Sequence, residues 1–161
     1  MGTRGFVLLG GKEGSYRVYY RQTDTYPTGL GAELLRVLKL NLARDIYELR
    51  RKIVGELHLE DYEVYVDSPE GAFPDIQGDV EWIYAVRLDD RDMGATSVTI
   101  YRTSFPALDA DFIFPVFSSY VDFLPSPEDI PARMAEVERI AEIVLNALES
   151  YHKALTRAKR E

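Results

Sequence analysis

The sequence predicts an α+β fold, an antiparallel sheet from two β-hairpins packed on one face by two short helices and a long C-terminal helix. Three observations carry this expectation. Two pairs of β-branched and aromatic segments are each joined by turn residues. Apolar residues recur at helical spacing between those pairs and again over 129–160. Strands and helices do not alternate regularly, as a parallel sheet would require.

The first hairpin pairs Phe6-Val7-Leu8-Leu9 with Tyr16-Arg17-Val18-Tyr19-Tyr20-Arg21, and Gly10-Gly11-Lys12-Glu13-Gly14 between them supplies residues able to turn with positive φ. A turn-rich connection, Asp24 to Gly29, follows, with Thr28 or Thr25 placed to cap a helix over 28–42. Leu30, Leu34, Val37, Leu38 and Leu42 give that helix its apolar face, and Asn41 marks its end. Asp45 with Glu48 has the spacing of a capping box for a second helix over 45–54, buried through Ile46, Leu49 and Ile53 and stopped at Gly55. Residues 62–66 fit strand or helix equally.

Val80, Trp82, Tyr84, Val86 and Leu88 alternate with Glu81, Ile83, Ala85 and Arg87, the period of a half-buried strand. Asp89 to Gly94 turns it into Ser97–Arg102, the second hairpin. Pro106, Pro115 and Pro125 interrupt the aromatic stretch 105–125, which therefore reads as an irregular cover over one edge of the sheet. Pro131 sets the start of the last helix near Asp129, since proline is tolerated in a first turn. Ile130, Met134, Val137, Ala141, Val144, Leu148, Tyr151 and Leu155 then form a seam of alternating four- and three-residue steps, which Ile140 and Ala147 widen. A helix of this length is roughly 45 Å long, comparable to the full width of a domain of this size, so either it lies wholly on its own domain or its distal part around Leu148, Tyr151 and Leu155 pairs with a second subunit, and the homodimer is the preferred expectation.

Composition bounds the rest. The 161 residues suit one globular domain spanning 1–161, and the absence of cysteine removes disulfides and thiolate catalysis. Met1 to Gly5 lacks an apolar leader, no apolar run is long enough to span a membrane, and Phe6 stands where a myristoylation motif needs Ser or Thr. A cytoplasmic protein is expected. Asn41, Asn146, Gln22 and Gln77 are the only amides in a chain that is 29% charged, a pattern that points to a thermophilic source. The net charge of -8 is uneven: residues 1–52 carry ten Lys/Arg against five Asp/Glu, and 53–130 carry three against seventeen. Such an acidic block repels phosphate, which argues against nucleic acid; two segments that attract one another explain the asymmetry.

Chemical motifs are sparse. His58 and His152 have no histidine at metal-ligand spacing, and an EF-hand register over Asp89, Asp90 and Asp92 would put Arg91 and Met93 at ligand positions. No metal or cofactor is expected. Gly10-Gly11-Lys12 opens a strand rather than the helix a phosphate loop needs. Gly29-Leu30-Gly31 has only two of the three dinucleotide-fingerprint glycines, although it begins a helix whose amides suit an anion. Thr3 lacks the free amine of an N-terminal nucleophile when Met1 and Gly2 precede it. Tyr16, Tyr19 and Tyr20 interleaved with Arg17 and Arg21 read as sheet packing.

Gly2-Thr3-Arg4-Gly5, Asp24-Thr25-Tyr26-Pro27-Thr28-Gly29-Leu30-Gly31, and Gly78-Asp79-Val80-Glu81-Trp82-Ile83-Tyr84 running to Leu88-Asp89 together resemble a family of uncharacterised phage and cellular proteins without established activity. Arg21-Gln22-Thr23 stands where that family commonly has an Asn-His pair. The resemblance implies relatives but no chemistry.

Two functions are expected from different classes. The first is a binding or structural protein acting as a homo-oligomer. The second is a small hydrolase or transferase whose site lies where the 24–31 loop meets the start of the 79–88 strand. There Arg4 and the amides after Thr28, including Gly29 and Gly31, would bind a small anionic group. Asp24 or Glu81 would act as general base, and Tyr26 would orient the substrate.

Overall fold

The computed structural model describes residues 3–41 and 45–160. Its centre is a six-stranded sheet of order β3-β2-β1-β4-β5-β6. β1 (Gly5–Gly11) and β2 (Tyr16–Arg21) form the first expected hairpin, and Gly14 takes φ 99° in its turn. β4 (Trp82–Leu88) and β5 (Ser97–Thr103) form the second. The two hairpins join through β1 and β4, which run parallel, with Gly5 opposite Trp82 and Gly11 opposite Leu88. The sheet is therefore mixed and not purely antiparallel. After edge strand β3 (Glu60–Val66), segment 67–81 crosses the sheet and enters β4 in the same direction as β1.

The open reading of 62–66 resolves as strand β3, which carries a register shift opposite β2 between Arg17 and Tyr19. The expectation of an irregular cover over 105–125 is corrected. Residues Ile113–Tyr120 form β6, the opposite edge strand, and Pro115 pairs with Tyr101 beside a register shift. An edge strand tolerates a missing donor on its outer side, so the proline does not break it.

Helices cover one face, as expected. The predicted 28–42 helix is instead a π turn at Pro27–Gly31 followed by α1 (Ala32–Leu40). Neither threonine caps it: Thr28 donates elsewhere and the Thr25 hydroxyl is buried without a partner. Asn41 ends α1 with its side-chain amide donating to the Val37 carbonyl at 2.6 Å, and Leu42 lies outside the described residues. α2 (Ile46–Glu56) has the predicted cap, Asp45 accepting from the Glu48 amide at 2.8 Å. Gly55 does not stop it; the helix runs on to Glu56, and the chain turns away at His58, φ 52°.

α3 (Ile130–Arg160) buries Ile130, Met134, Val137 and Ala141 in one cluster with α1 and the sheet residues Trp82, Tyr84, Val86, Val98 and Ile100, and Leu145 one turn further on is buried as well. Leu145 rather than Val144 takes the buried place, because the seam follows the straight-helix period of 3.6 and drifts from the heptad. The face of the sheet away from the helices is closed by segment 69–80, whose Ala72, Phe73 and Val80 meet Phe6, Leu8, Ile83 and Ala85. β4 is thus buried on both faces and not half-buried as its alternation suggested. No helix among the described residues is long and apolar enough to cross a membrane.

Candidate functional site

A hollow of about 480 Å³ opens at the end of the sheet where β1 and β4 begin, lined by Thr3, Arg4, Gln22, Thr23, Tyr26, Asp79, Glu81 and Phe105. Four chain segments converge on it: the lead into β1, the exit from β2, the lead into β4 and the exit from β5. Register explains the convergence. Gly5 pairs with Trp82, and the Glu81 amide donates to the Arg4 carbonyl at 2.9 Å, so Arg4 and Glu81 stand side by side one step before the ladder. Residues opposite one another on paired strands share a face.

Arg4 forms an ion pair with Asp79, and Asp79 also accepts from Gln77 at 2.6 Å. Gln77 in turn accepts from the Tyr62 hydroxyl at 2.5 Å, which ties the pair to edge strand β3. Among the described residues the Glu81 carboxylate accepts no hydrogen bond, and the cation it pairs with is Arg102 at 3.9 Å. Burial pushes the Glu81 carboxyl above its ordinary value, and the Arg102 guanidinium opposes that shift.

Arg102 is itself buried, stacked over Trp82, and donates to the carbonyls of Glu81, Thr103 and Phe105 at 3.2, 2.8 and 2.6 Å. Burial lowers its guanidinium, while Glu81 and then Tyr26 act in the opposite direction. Arg102 therefore draws together two of the predicted site residues and was missing from the sequence prediction. Its signal was present: Val98 and Ile100 set an inward alternation in β5 that ends on an arginine.

Of the predicted residues, Arg4, Tyr26 and Glu81 line the hollow together. Tyr26 is placed by its neighbour Thr25, whose carbonyl accepts from the buried Tyr84 hydroxyl at 2.6 Å. Asp24, Thr28, Gly29 and Gly31 do not line it. Asp24 is exposed at φ 53°, its carbonyl accepting from Leu30 at 2.9 Å. The Thr28 amide and hydroxyl both donate to Glu138 of α3, at 2.8 and 2.6 Å, and the amides of Gly29 and Gly31 donate to the Tyr26 carbonyl. The amides expected to hold an anion are thus engaged within the chain. Gly29 and Gly31 are packing glycines: a Cβ on Gly29 would stand 2.5 Å from the Asp24 carbonyl, and one on Gly31 would stand 3.2 Å from the Tyr84 ring.

A second feature lies on α3. Beyond Leu145 no described side chain of the helix is fully buried; Leu148 is half-buried, while Tyr151 and Leu155 are 64% and 44% exposed. At 100° per residue, Ile140, Ile143, Val144, Ala147, Tyr151, Ala154, Leu155 and Ala158 fall within one sector about 120° wide that holds no charged residue between 140 and 158. The sector adjoins the buried seam and faces away from it. Charges such as Glu149 and Lys153, paired at 3.2 Å, lie outside the sector.

No family model matches the chain, and comparison with curated proteins and with solved structures likewise returns no match.

Proposed function

We propose that the protein is a binding or structural protein that acts as a homodimer through the distal half of α3. The charge-free sector from Ile140 to Ala158 carries this reading. Ile140, Val144, Ala147, Tyr151, Ala154 and Ala158 follow alternating four- and three-residue steps, the spacing at which a second helix seats its side chains. The stretch is about 28 Å long. Covering a large apolar side chain stabilises by about 1.5–3 kcal/mol, so a symmetric pair that covers Ile143, Tyr151 and Leu155 twice gains enough to offset the cost of association. Sedimentation of the purified chain tests this, with Tyr151→Glu and Leu155→Glu as variants.

A second reading, a small hydrolase or transferase acting on an anionic substrate, is favoured by the meeting of Arg4, Tyr26 and Glu81 at one hollow. Both segments that carry the resemblance to the uncharacterised family, 2–31 and 78–89, contribute residues to it. In this reading Arg4 holds the anion, Tyr26 orients it, and Glu81 rather than Asp24 is the general base, since burial holds its proton affinity up. Turnover of chromogenic ester and phosphate substrates that is lost in Glu81→Gln and kept in Asp24→Asn supports it. Equal activity in the two variants overturns it.

A further inference from the structure

We infer that the hollow at the start of β1 and β4 is a binding site for a small zwitterion, an α-amino acid with an apolar or aromatic side chain, held by Arg4 and Glu81. The inference rests on the reading of Arg4 as an anion holder and adds the partner of opposite charge.

The charged groups of the hollow differ in the bonding capacity they have left. Asp79 is spent, one oxygen on Arg4 and the other on Gln77. Arg4 spends one terminal nitrogen on Asp79, and its remaining donors have no partner among the described residues. Its side chain is two-fifths exposed. The Glu81 carboxylate accepts no hydrogen bond from the described residues and has Arg102 at 3.9 Å, beyond hydrogen-bond distance. A half-buried carboxylate left without a donor is costly, and a ligand ammonium supplies what it lacks.

The two groups are of opposite sign and stand on neighbouring strands at the same level, joined by the Glu81 amide to Arg4 carbonyl bond. Adjacent strands lie about 4.8 Å apart. Side chains rooted on main chains that close can reach the two ends of one small ligand. A simple anion satisfies Arg4 but sets its charge beside Glu81; a simple amine does the reverse.

Tyr26 and Phe105 complete the wall, and the volume of about 480 Å³ lies in the ordinary range for small-molecule sites. They offer ring faces and edges to a side chain, which selects an apolar or aromatic amino acid over glycine. Arg102 is a positioning residue: it fixes the Glu81 main chain and the Phe105 carbonyl.

Calorimetry of the full chain with L-phenylalanine, 3-phenylpropanoate and 2-phenylethylamine tests the inference. The three share a ring and a two-carbon tether and differ in charge. Phenylalanine is expected to bind at least about tenfold more tightly than either single-charge analogue. Glu81→Gln should erase its advantage over 3-phenylpropanoate while leaving binding of that acid intact, and thermal denaturation of the variant confirms its fold. If 3-phenylpropanoate binds the native protein as well as phenylalanine does, the zwitterion inference falls and the anion reading stands. If none of the three binds, both fall.

Discussion

Glu81 and Gly29 show how differently two predicted site residues are used. Burial raises the Glu81 carboxyl, so the folded chain holds that proton more tightly than the unfolded chain. Its contribution is therefore most favourable at low pH and is lost as pH rises through the folded value. Glu81→Gln removes the charge that burial disfavours. The variant is expected to melt a few degrees above the native protein near pH 7, and the two melting curves should converge near pH 4. A gap of equal size at both pH values would contradict the assignment. Gly29 has no chemical part; it lets the 24–31 loop close on itself. Gly29→Ala drives a Cβ against the fixed Asp24 carbonyl and should cost about 1–3 kcal/mol in urea denaturation. Gly94→Ala meets only the end of the exposed Asp122 side chain, which can swing away, and should cost far less.

At the scale of elements, α3 divides into a half buried in the core and a distal half whose side chains are exposed or part-exposed. Met134 is fully buried among the helices and the sheet, so Met134→Ala should cost about 2–5 kcal/mol. Tyr151→Glu should leave monomer stability within about 0.5 kcal/mol. Denaturant titration of each variant below the concentration at which dimers form separates the two effects.

The helices were legible in the sequence because their patterns are local. The Asp45–Glu48 cap and the Pro131 start appear where residue spacing placed them, and the apolar seam of α3 follows its predicted positions as far as Ala141. Sheet connectivity was not legible. Nothing in β1 or β4 alone states that they run side by side, and β6 was concealed by a proline that only an edge position tolerates. The candidate site divides in the same way. Arg4, Tyr26 and Glu81 share the hollow because each sits at a loop or strand start that the sequence marks, whereas Asp79 and Arg102 join them through cross-chain partners, and of the two only Arg102 leaves a trace in strand alternation.

Across the whole molecule, the uneven charge of the sequence becomes a pattern of contacts. Lys12, Arg17 and Arg4 from the basic segment meet Asp89, Asp61 and Asp79 from the acidic one. The Arg17 pair is bidentate at 2.9 Å and holds the Asp61 carboxyl below its ordinary value. These contacts tie the first hairpin to β3, to the turn after β4 and to the lead into β4, while the charge-free sector of α3 keeps Ile143 and Tyr151 exposed. Its pairing with a second copy is the central claim. Sedimentation velocity of the native chain across the micromolar range tests it most directly. A dimer that dissociates on dilution, and that Leu155→Glu and Tyr151→Glu each convert to monomer without loss of fold, is the predicted result. A native chain that sediments as a monomer at every concentration would contradict it.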